Sequence, residues 1–154
     1  TTDKNIGYIA EHCTNIGIQV REVRVVPDIE DEIVTAVRAL SGRYSYVFTT
    51  GGIGPTHDDI TADCVAAAFK VGIDHHPEVK QLLIENFKRR NLEPTEARLR
   101  MARVPKGAIL IDNPVSKAPG FQIGNVFVMA GVPKIMQAML EQVVPRLTKG
   151  VPMQ

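Results

Sequence analysis

Cysteine is scarce in this sequence: Cys13 and Cys64 are the two present among 154 residues. So few cysteines cannot form the dense disulfide framework of small secreted domains. Cys13 lies on an apolar helical stripe, and Cys64 lies among alanines beside Val65. We therefore expect both thiols to be buried core residues. This cysteine usage indicates the cytoplasm as the compartment.

Long apolar runs and an excess of one charge sign are missing as well. No stretch approaches the ~20 apolar residues that cross a bilayer, so we expect no membrane partner. The net charge of +1 gives no general attraction to nucleic acid. With 44% apolar and 23% charged residues, the composition is that of a globular domain. We expect one domain over residues 1–154.

Helical and extended patterns alternate along the chain. Apolar periodicity predicts helices over residues 4–16, 29–40, 62–70, 77–90, 93–102 and 133–147. Apolar or alternating runs predict strands over 18–26, 44–50, 108–111, 120–123 and 125–130, with a short extended piece at 72–75. The alternation predicts an α/β fold with a mostly parallel sheet, plus a small hairpin near residues 108–130. Because doubly wound folds usually begin with a strand, we expect that this sequence lacks the first strand.

A glycine-rich turn separates the predicted strand 44–50 from the following helix. Its Gly51, Gly52 and Gly54 permit backbone conformations closed to other residues and let a ligand approach the main chain. Free N–H groups in such a turn, together with the helix N-terminus after it, favour an anion. The sequence has neither the Gly-Lys-Ser/Thr of a P-loop nor the glycine spacing of the dinucleotide fingerprint. The turn predicts an anion site of another type.

Asp58 and Asp59 follow the turn directly. They would repel a bare phosphate, so they suit a phosphate accompanied by a cation or a ligand with donor groups of its own. They predict either Mg²⁺ held against phosphate or hydrogen bonds to a heterocycle. Thr61 completes an Asp-x-Thr motif with Asp59. The alternative is that Asp59 only caps the next helix.

Loops at residues 26–28, 51–59 and 130–134 each follow a predicted strand and open a helix. Ligands of open α/β sheets bind beyond the carboxyl ends of the strands, so we expect the loops to converge. Convergence would bring Asp28 and Gly131 to the glycine turn. The alternative for Asp28 is ordinary helix-start chemistry.

Two further segments carry polar side chains. The loop 113–121 contains two prolines and a glycine that fix its shape, and its Ser116 and Lys117 are candidates for reaching a phosphate. Basic residues cluster over 88–103, as Lys88, Arg89, Arg90, Arg98, Arg100 and Arg103. They would meet a polyanion or a nucleotide phosphate, but we interpret the run as a solvated face. No Ser/His/Asp or Cys/His set indicates nucleophilic catalysis.

These motifs resemble a known family. The run 49–54, the Asp-Ile-Thr at 59–61 and the Gly-Val-Pro-Lys at 131–134 are similar to the signature of the molybdopterin-binding domain of molybdenum cofactor biosynthesis proteins. The segments 54–61, 113–114, 118–121 and 131–133 resemble most closely the N-terminal domain of competence/damage-inducible protein A and the matching domain of eukaryotic FAD synthase. Asp3 and Asn5 fit the same pattern. Ile53 departs from it, because the classical molybdopterin proteins usually have threonine there.

The resemblance implies a three-layer α/β/α sandwich that forms a homo-oligomer. It implies a ligand site with catalytic roles for Asp28 and Asp59 and a divalent ion, Mg²⁺ or Co²⁺, on Asp58 and Asp59. Cofactor-binding positions are then Gly51, Gly52, Gly54, Asp58, Thr61, Lys117, Gly131 and Pro133.

Three functions remain open. The first is binding of molybdopterin, or of another phosphate-bearing pterin or a nucleotide, with adenylyltransferase-like chemistry. The second is a metal-dependent pyrophosphatase acting on ADP-ribose or FAD. The third is a non-catalytic assembly or regulatory module.

Overall fold

The structure is a computed structural model that describes residues 2–147, with side chains from Lys4 onward. Its helices are α1 (Thr2–Asn15), α2 (Glu30–Arg43), α3 (Thr61–Ala68), α4 (Pro77–Arg89), α5 (Glu96–Leu99) and α6 (Pro133–Val143). Its strands are β1 (Val47–Thr50), β2 (Ile73–His75), β3 (Arg103–Pro105), β4 (Ile109–Ile111), β5 (Gly120–Ile123) and β6 (Val126–Met129). Short 3-10 turns follow α5 and α6. The predicted α/β class is confirmed.

The main sheet has four strands in the order β1-β6-β5-β4. β1 runs parallel to β6, with Val47 opposite Val126 and Thr50 opposite Met129. β5 pairs antiparallel with both β4 and β6, which confirms the predicted hairpin region. The sheet of the described strands is therefore mixed, with its parallel pair at β1 and β6. β2 and β3 form a separate antiparallel pair.

Helices cover both faces of the main sheet, as expected for three layers. On one face α1 and α6 bury Cys13, Met136, Met139 and Leu140 against Phe127 and Met129 of β6. On the other face α2 and α3 bury Ile33, Val37, Cys64 and Val65 against Phe121 of β5 and Val128 of β6. Both cysteines are 1% exposed, which confirms the predicted core positions.

A smaller apolar cluster lies under α4. Proline opens this helix at Pro77, and the His76 ring nitrogen accepts a hydrogen bond from the Val79 N–H at 3.5 Å. Val79, Leu83 and Phe87 recur every four residues, so they share one buried face of the helix. They pack with Ala102 and secure the segment 92–102.

The strand expected over 18–26 is wrong. This segment has no regular secondary structure and forms no ladder with another strand among residues 2–147. Alternating valines indicated a strand, yet a strand also needs a neighbouring backbone to bond. Val20, Val23 and Val25 stay exposed, by 37%, 50% and 76%.

The helix expected over 93–102 is divided. Its regular part is α5, where the Thr95 hydroxyl accepts from the Arg98 N–H at 3.2 Å. A 3-10 turn, Arg100–Ala102, then leads into β3. In the part of the chain described, no helix has the length and apolarity to cross a membrane.

Candidate functional site

A cleft of about 590 Å³ opens where the parallel strands β1 and β6 end. The glycine turn forms one side of it, and the loop 130–133 before α6 forms the other. Two of the three loops expected to converge therefore do so. The cleft is lined by Asn5, Thr50, Gly51, Gly52, Ile53, Gly54, Asp59, Met101, Asn113, Ser116, Ala118, Ala130, Gly131, Val132, Pro133 and Ile135.

The glycine turn has a conformation that requires glycine at two positions. Gly51 and Gly52 have positive φ values of 93° and 73°. The Gly51 N–H continues the sheet by donating to the Met129 carbonyl at 2.9 Å, and the Gly52 carbonyl accepts from the Thr61 N–H at 3.0 Å. A Cβ on Gly52 would overlap the Thr61 hydroxyl. Thr61, 8% exposed, thus supports the turn from beneath and does not line the cleft.

Backbone donors of the turn are available to a ligand. Within residues 2–147, the N–H groups of Gly52, Ile53 and Gly54 have no hydrogen-bond acceptor. Helices α3 and α6 also begin beside the cleft, and neither N-cap residue, Ile60 or Val132, makes a side-chain cap bond. Uncapped helix N-termini and successive free N–H groups favour a bound anion.

Gly131 lets the two sides of the cleft approach each other. A Cβ at this position would lie 3.1 Å from the Gly51 Cα. Pro133 follows as the first residue of α6 and lines the same wall. The predicted Gly-x-Pro element is therefore placed beside the glycine turn.

Asp59 lines the cleft but does not cap α3, whose N-cap is Ile60. Its Oδ2 accepts hydrogen bonds from the Thr56 N–H at 3.0 Å and the Thr56 hydroxyl at 2.8 Å. The carboxylate also packs over Gly54, where a Cβ would come within 2.8 Å of Oδ2. Asp59 thus closes its own loop and presents a negative group at the edge of the glycine turn.

Asp58 does not line the cleft. Its side chain is 83% exposed, and Oδ1 lies 3.6 Å from the His57 ring. In residues 2–147, no group of three or more His, Cys, Asp or Glu side chains is arranged to hold a metal ion. The residues present do not fit the expected Mg²⁺ or Co²⁺ site on Asp58 and Asp59, because Asp59 Oδ2 already accepts two hydrogen bonds from Thr56 and Asp58 is exposed outside the cleft.

Two other predicted residues lie outside the cleft. Asp28 is exposed in the loop before α2, and it does not cap that helix, whose N-cap residue is Ile29. Lys117 is exposed at a positive φ of 69°. The loop 113–118 nevertheless reaches the cleft through Asn113, Ser116 and Ala118.

Asn113 holds that loop in shape. It is 5% exposed, and its Oδ1 accepts from the N–H groups of Val115 and Ser116 at 3.0 and 3.1 Å. Its Nδ2 donates to the Ser116 hydroxyl at 2.6 Å and to the Ala118 carbonyl at 2.9 Å. Every polar group of this buried amide is satisfied within the loop, so Asn113 positions Ser116 at the cleft.

Asn5 and Met101 also line the cleft. The sequence indicated Asn5 only as part of the family pattern, and it predicted neither residue in the site. Asn5 of α1 is 2% exposed, and its Nδ2 donates to the Gly131 carbonyl at 2.9 Å. A buried asparagine on an otherwise apolar helical face was a usable signal, because buried amides need partners. Met101 carried no such signal. The side chain of Asp3 lies outside the described residues.

Neither cysteine is suited to act as a nucleophile. Burial raises the pKa of the Cys64 thiol from 9.0 to about 11 and also raises the pKa of Cys13. Glu30, Asp63 and Asp28 add to the effect on Cys64 by disfavouring a second negative charge nearby. Both thiols therefore stay protonated near neutral pH.

Comparisons with known proteins find related sequences and structures. The family model described as "Probable molybdopterin binding domain" matches residues 1–149. A protein of Sulfurisphaera tokodaii is 36% identical over 157 residues, covering 99% of this chain and 60% of that protein. A protein of Pyrobaculum arsenaticum is 39% identical over 150 residues, covering 95% and 57%. The chain thus spans about 60% of the length of these curated relatives.

Solved structures share the fold. One is the crystal structure of CinA from Thermoplasma acidophilum, which is described as a protein of unknown function. It superposes on this chain with a TM-score of 0.85 and 33% sequence identity, over 95% of this chain and 88% of that one. The molybdopterin biosynthesis enzyme MoaB from Thermus thermophilus has a TM-score of 0.56 and 20% identity, covering 94% and 79%. The likeness to MoaB shows the fold alone.

Proposed function

This chain belongs to the family of probable molybdopterin binding domains, and we propose that its cleft binds a phosphate-bearing pterin, such as molybdopterin, or a nucleotide. The observation that carries the proposal is the position of the cleft. It lies at the carboxyl ends of β1 and β6, between the free N–H groups of the glycine turn and the Gly131–Pro133 loop. Ligands of open α/β folds bind at this edge.

The phosphate belongs at the glycine turn. Gly52, Ile53 and Gly54 offer backbone donors without competing acceptors within residues 2–147. The N-termini of α3 and α6 add partial positive charge from two directions. Backbone donors bind phosphate without bringing a titratable side chain, so the protein's side of the contact does not change with pH.

The heterocycle belongs against the apolar part of the cleft. Ile53, Met101 and Val132 supply apolar surface there, and Val132 is 57% exposed. The volume of about 590 Å³ lies within the range of small-molecule sites. Asp59 supplies an acceptor for amino or ring N–H groups, which pterins and adenine both carry.

Calorimetric titration with neopterin monophosphate and with AMP tests the proposal. Asp59→Asn should weaken binding of at least one of them by about 10- to 100-fold, the usual worth of a charge-assisted hydrogen bond. Asp58→Asn is the matched control, because it makes the same change on an exposed neighbour outside the cleft. Absence of binding by the unaltered chain, or equal losses in the two variants, would contradict the proposal.

A further inference from the structure

The segment 18–26, between α1 and α2, presents apolar side chains to solvent. Val20, Val23 and Val25 are 37%, 50% and 76% exposed. Half of the large apolar side chains that stay exposed in residues 4–147 lie in the short stretch 20–29. Exposed apolar side chains that cluster in this way, with charged residues between them, are typical of a protein interaction surface. We call residues 18–26 the valine segment.

The valine segment is held in place at both ends and at its centre. Ile18 packs against the apolar cluster of α1 and α6, and Val26 packs against the cluster of α2 and α3. Between them, the Tyr44 hydroxyl donates to Glu22 Oε1 at 2.8 Å. These contacts leave the valines in the middle uncovered. Binding through this segment therefore costs less conformational entropy than binding through a free loop.

The backbone of the valine segment has unused hydrogen-bonding groups. From Gln19 to Val26, no backbone N–H or C=O makes a backbone hydrogen bond within residues 2–147. The alternation of apolar and polar residues predicts a strand here, yet no described strand pairs with the segment. An unpaired stretch of this kind binds a second polypeptide by adding a strand to it. The valine segment therefore lacks only a neighbouring backbone.

A second copy of the same segment complements it in an antiparallel register. When two copies pair about Val23, each Val23 faces its counterpart, and Val20 of each copy faces the partner's Val26. Glu22 of each copy then faces the partner's Arg24, so both charge pairs are attractive. Directly facing β-branched residues and opposite charges stabilise antiparallel strands. Pairing centred on Glu22 or on Arg24 would instead place like charges opposite each other.

Both charged residues of this register are available to a partner. Hydrogen bonds from Arg24 and from the Tyr44 hydroxyl hold the pKa of the Glu22 carboxyl below its usual value, so Glu22 is ionised at neutral pH. Arg24 uses its Nε to contact Glu22 Oε2 at 2.6 Å, and its side chain is 38% exposed. A guanidinium has five N–H donors, so Arg24 keeps its Nη groups for the partner's Glu22.

We propose that the valine segment is an interface through which two copies of this chain pair, as antiparallel strands related by a twofold axis at Val23. The segment then forms the strand that its sequence predicts, because the second copy supplies the backbone that one copy lacks. Since the same patch is used by both copies, the contact closes as a dimer. The lining of the cleft includes no residue of 18–26, so the inference does not depend on the proposed ligand.

Sedimentation velocity over a wide range of protein concentration tests the interface. The unaltered chain should form a dimer as the concentration rises. Val23→Lys places two positive charges opposite each other at the axis and should raise the dissociation constant of the dimer by about tenfold or more. Leu82→Lys is the matched control, because Leu82 is also 50% exposed but lies on α4. It should leave the dissociation constant unchanged.

Two charge variants test the register. Glu22→Arg makes both facing charge pairs positive, and Arg24→Glu makes both negative, so each variant alone should be monomeric at concentrations where the unaltered chain is dimeric. In an equal mixture of the two variants, opposite charges face each other at both positions. Native mass spectrometry should then detect the mixed dimer. Contacts within one chain cannot produce this result, because each variant keeps its own charges in the mixture.

Three results would overturn the proposal. The first is the mass of a single chain at every concentration of the unaltered protein. The second is an oligomer that Val23→Lys leaves intact, because the copies would then meet elsewhere. The third is failure of the two charge variants to pair in the mixture. Melting temperatures confirm that each variant is folded, and substitutions at these positions should change them little.

Discussion

Replacement of Gly52 by alanine is expected to destabilise the protein through two separate effects. Gly52 has a φ of 73°, a region that costs a residue with a Cβ about 1–2 kcal/mol. The added Cβ would also overlap the Thr61 hydroxyl and approach the Thr61 Cβ to 2.8 Å. Because Thr61 is 8% exposed and bonded through its N–H to the Gly52 carbonyl, it cannot simply swing away. Overpacking of this kind costs about 1–3 kcal/mol, so we expect a total of about 2–5 kcal/mol.

Gly51→Ala is the matched control, because it separates the backbone effect from the overlap. Gly51 has a φ of 93°, but a Cβ there would come no closer than 4.0 Å to its nearest neighbour, the Gly131 Cα. It should therefore lose about 1–2 kcal/mol from backbone strain alone. In the double variant Gly52→Ala with Thr61→Ala, part of the overlap is relieved, so the two changes should cost less together than their sum.

Urea unfolding followed by circular dichroism measures these differences as shifts in the free energy of unfolding. If Thr61 packs beneath the turn, Gly52→Ala must cost more than Gly51→Ala. A smaller loss for Gly52→Ala, or strictly additive effects with Thr61→Ala, would refute the packing of Thr61 beneath the turn.

Other parts of the molecule give further expectations. Asn125→Ala removes three hydrogen bonds, one from the Ser41 hydroxyl and two to the carbonyls of Ser41 and Tyr44. It should lower the free energy of unfolding in urea by about 2–4 kcal/mol. A loss below about 0.5 kcal/mol would contradict this connection between the end of α2 and the turn before β6. Gly7 lies within α1, and a Cβ added there would have no atom within 4 Å. Gly7→Ala should therefore stabilise the protein by about 0.5–1 kcal/mol. A lower melting temperature would contradict this expectation. Burial raises the pKa of Cys64 from 9.0 to about 11, so the unfolded chain loses this proton before the folded one does. Stability from this thiol is fully present below pH ~9 and should fall by up to about 3 kcal/mol as the pH rises to ~11, whereas Cys64→Ala should show a flatter profile in the same range. Size-exclusion chromatography with light scattering tests whether the protein forms the expected homo-oligomer. A mass equal to that of one chain would contradict this expectation.

Much of the fold was accessible from local patterns. Pro77 and Pro133 marked the first residues of α4 and α6, because proline suits that position and lacks the N–H that a helix start leaves unpaired. The glycine turn after β1 and the loop after β6 were expected to meet, since parallel strands end at the same edge of a sheet. These are consequences of chain geometry that a sequence displays directly.

The rest depended on contacts between distant residues. The valines of 18–26 alternate as in a strand, but whether a backbone lies beside them is not encoded in their own order. Asp58 and Asp59 are adjacent, yet Asp59 turns toward Thr56 while Asp58 faces solvent. Met101 reaches the cleft only because the segment after α5 packs beside α3. The exposure of the valines, the different surroundings of Asp58 and Asp59, and the position of Met101 all depend on side-chain direction and tertiary packing. A sequence pattern does not specify these.

Backbone amide shifts report most directly on whether the cleft binds phosphate. In ¹⁵N-labelled protein titrated with neopterin monophosphate or AMP, the amide signals of Gly52, Gly54 and Gly131 should move with a common saturation curve. Gly124, in the turn at the opposite end of β6, should not move. Shifts confined to the turn and the Gly131 loop are the result predicted here. Unchanged signals with both ligands, or shifts of equal size at Gly124, would contradict the assignment of the cleft as the ligand site.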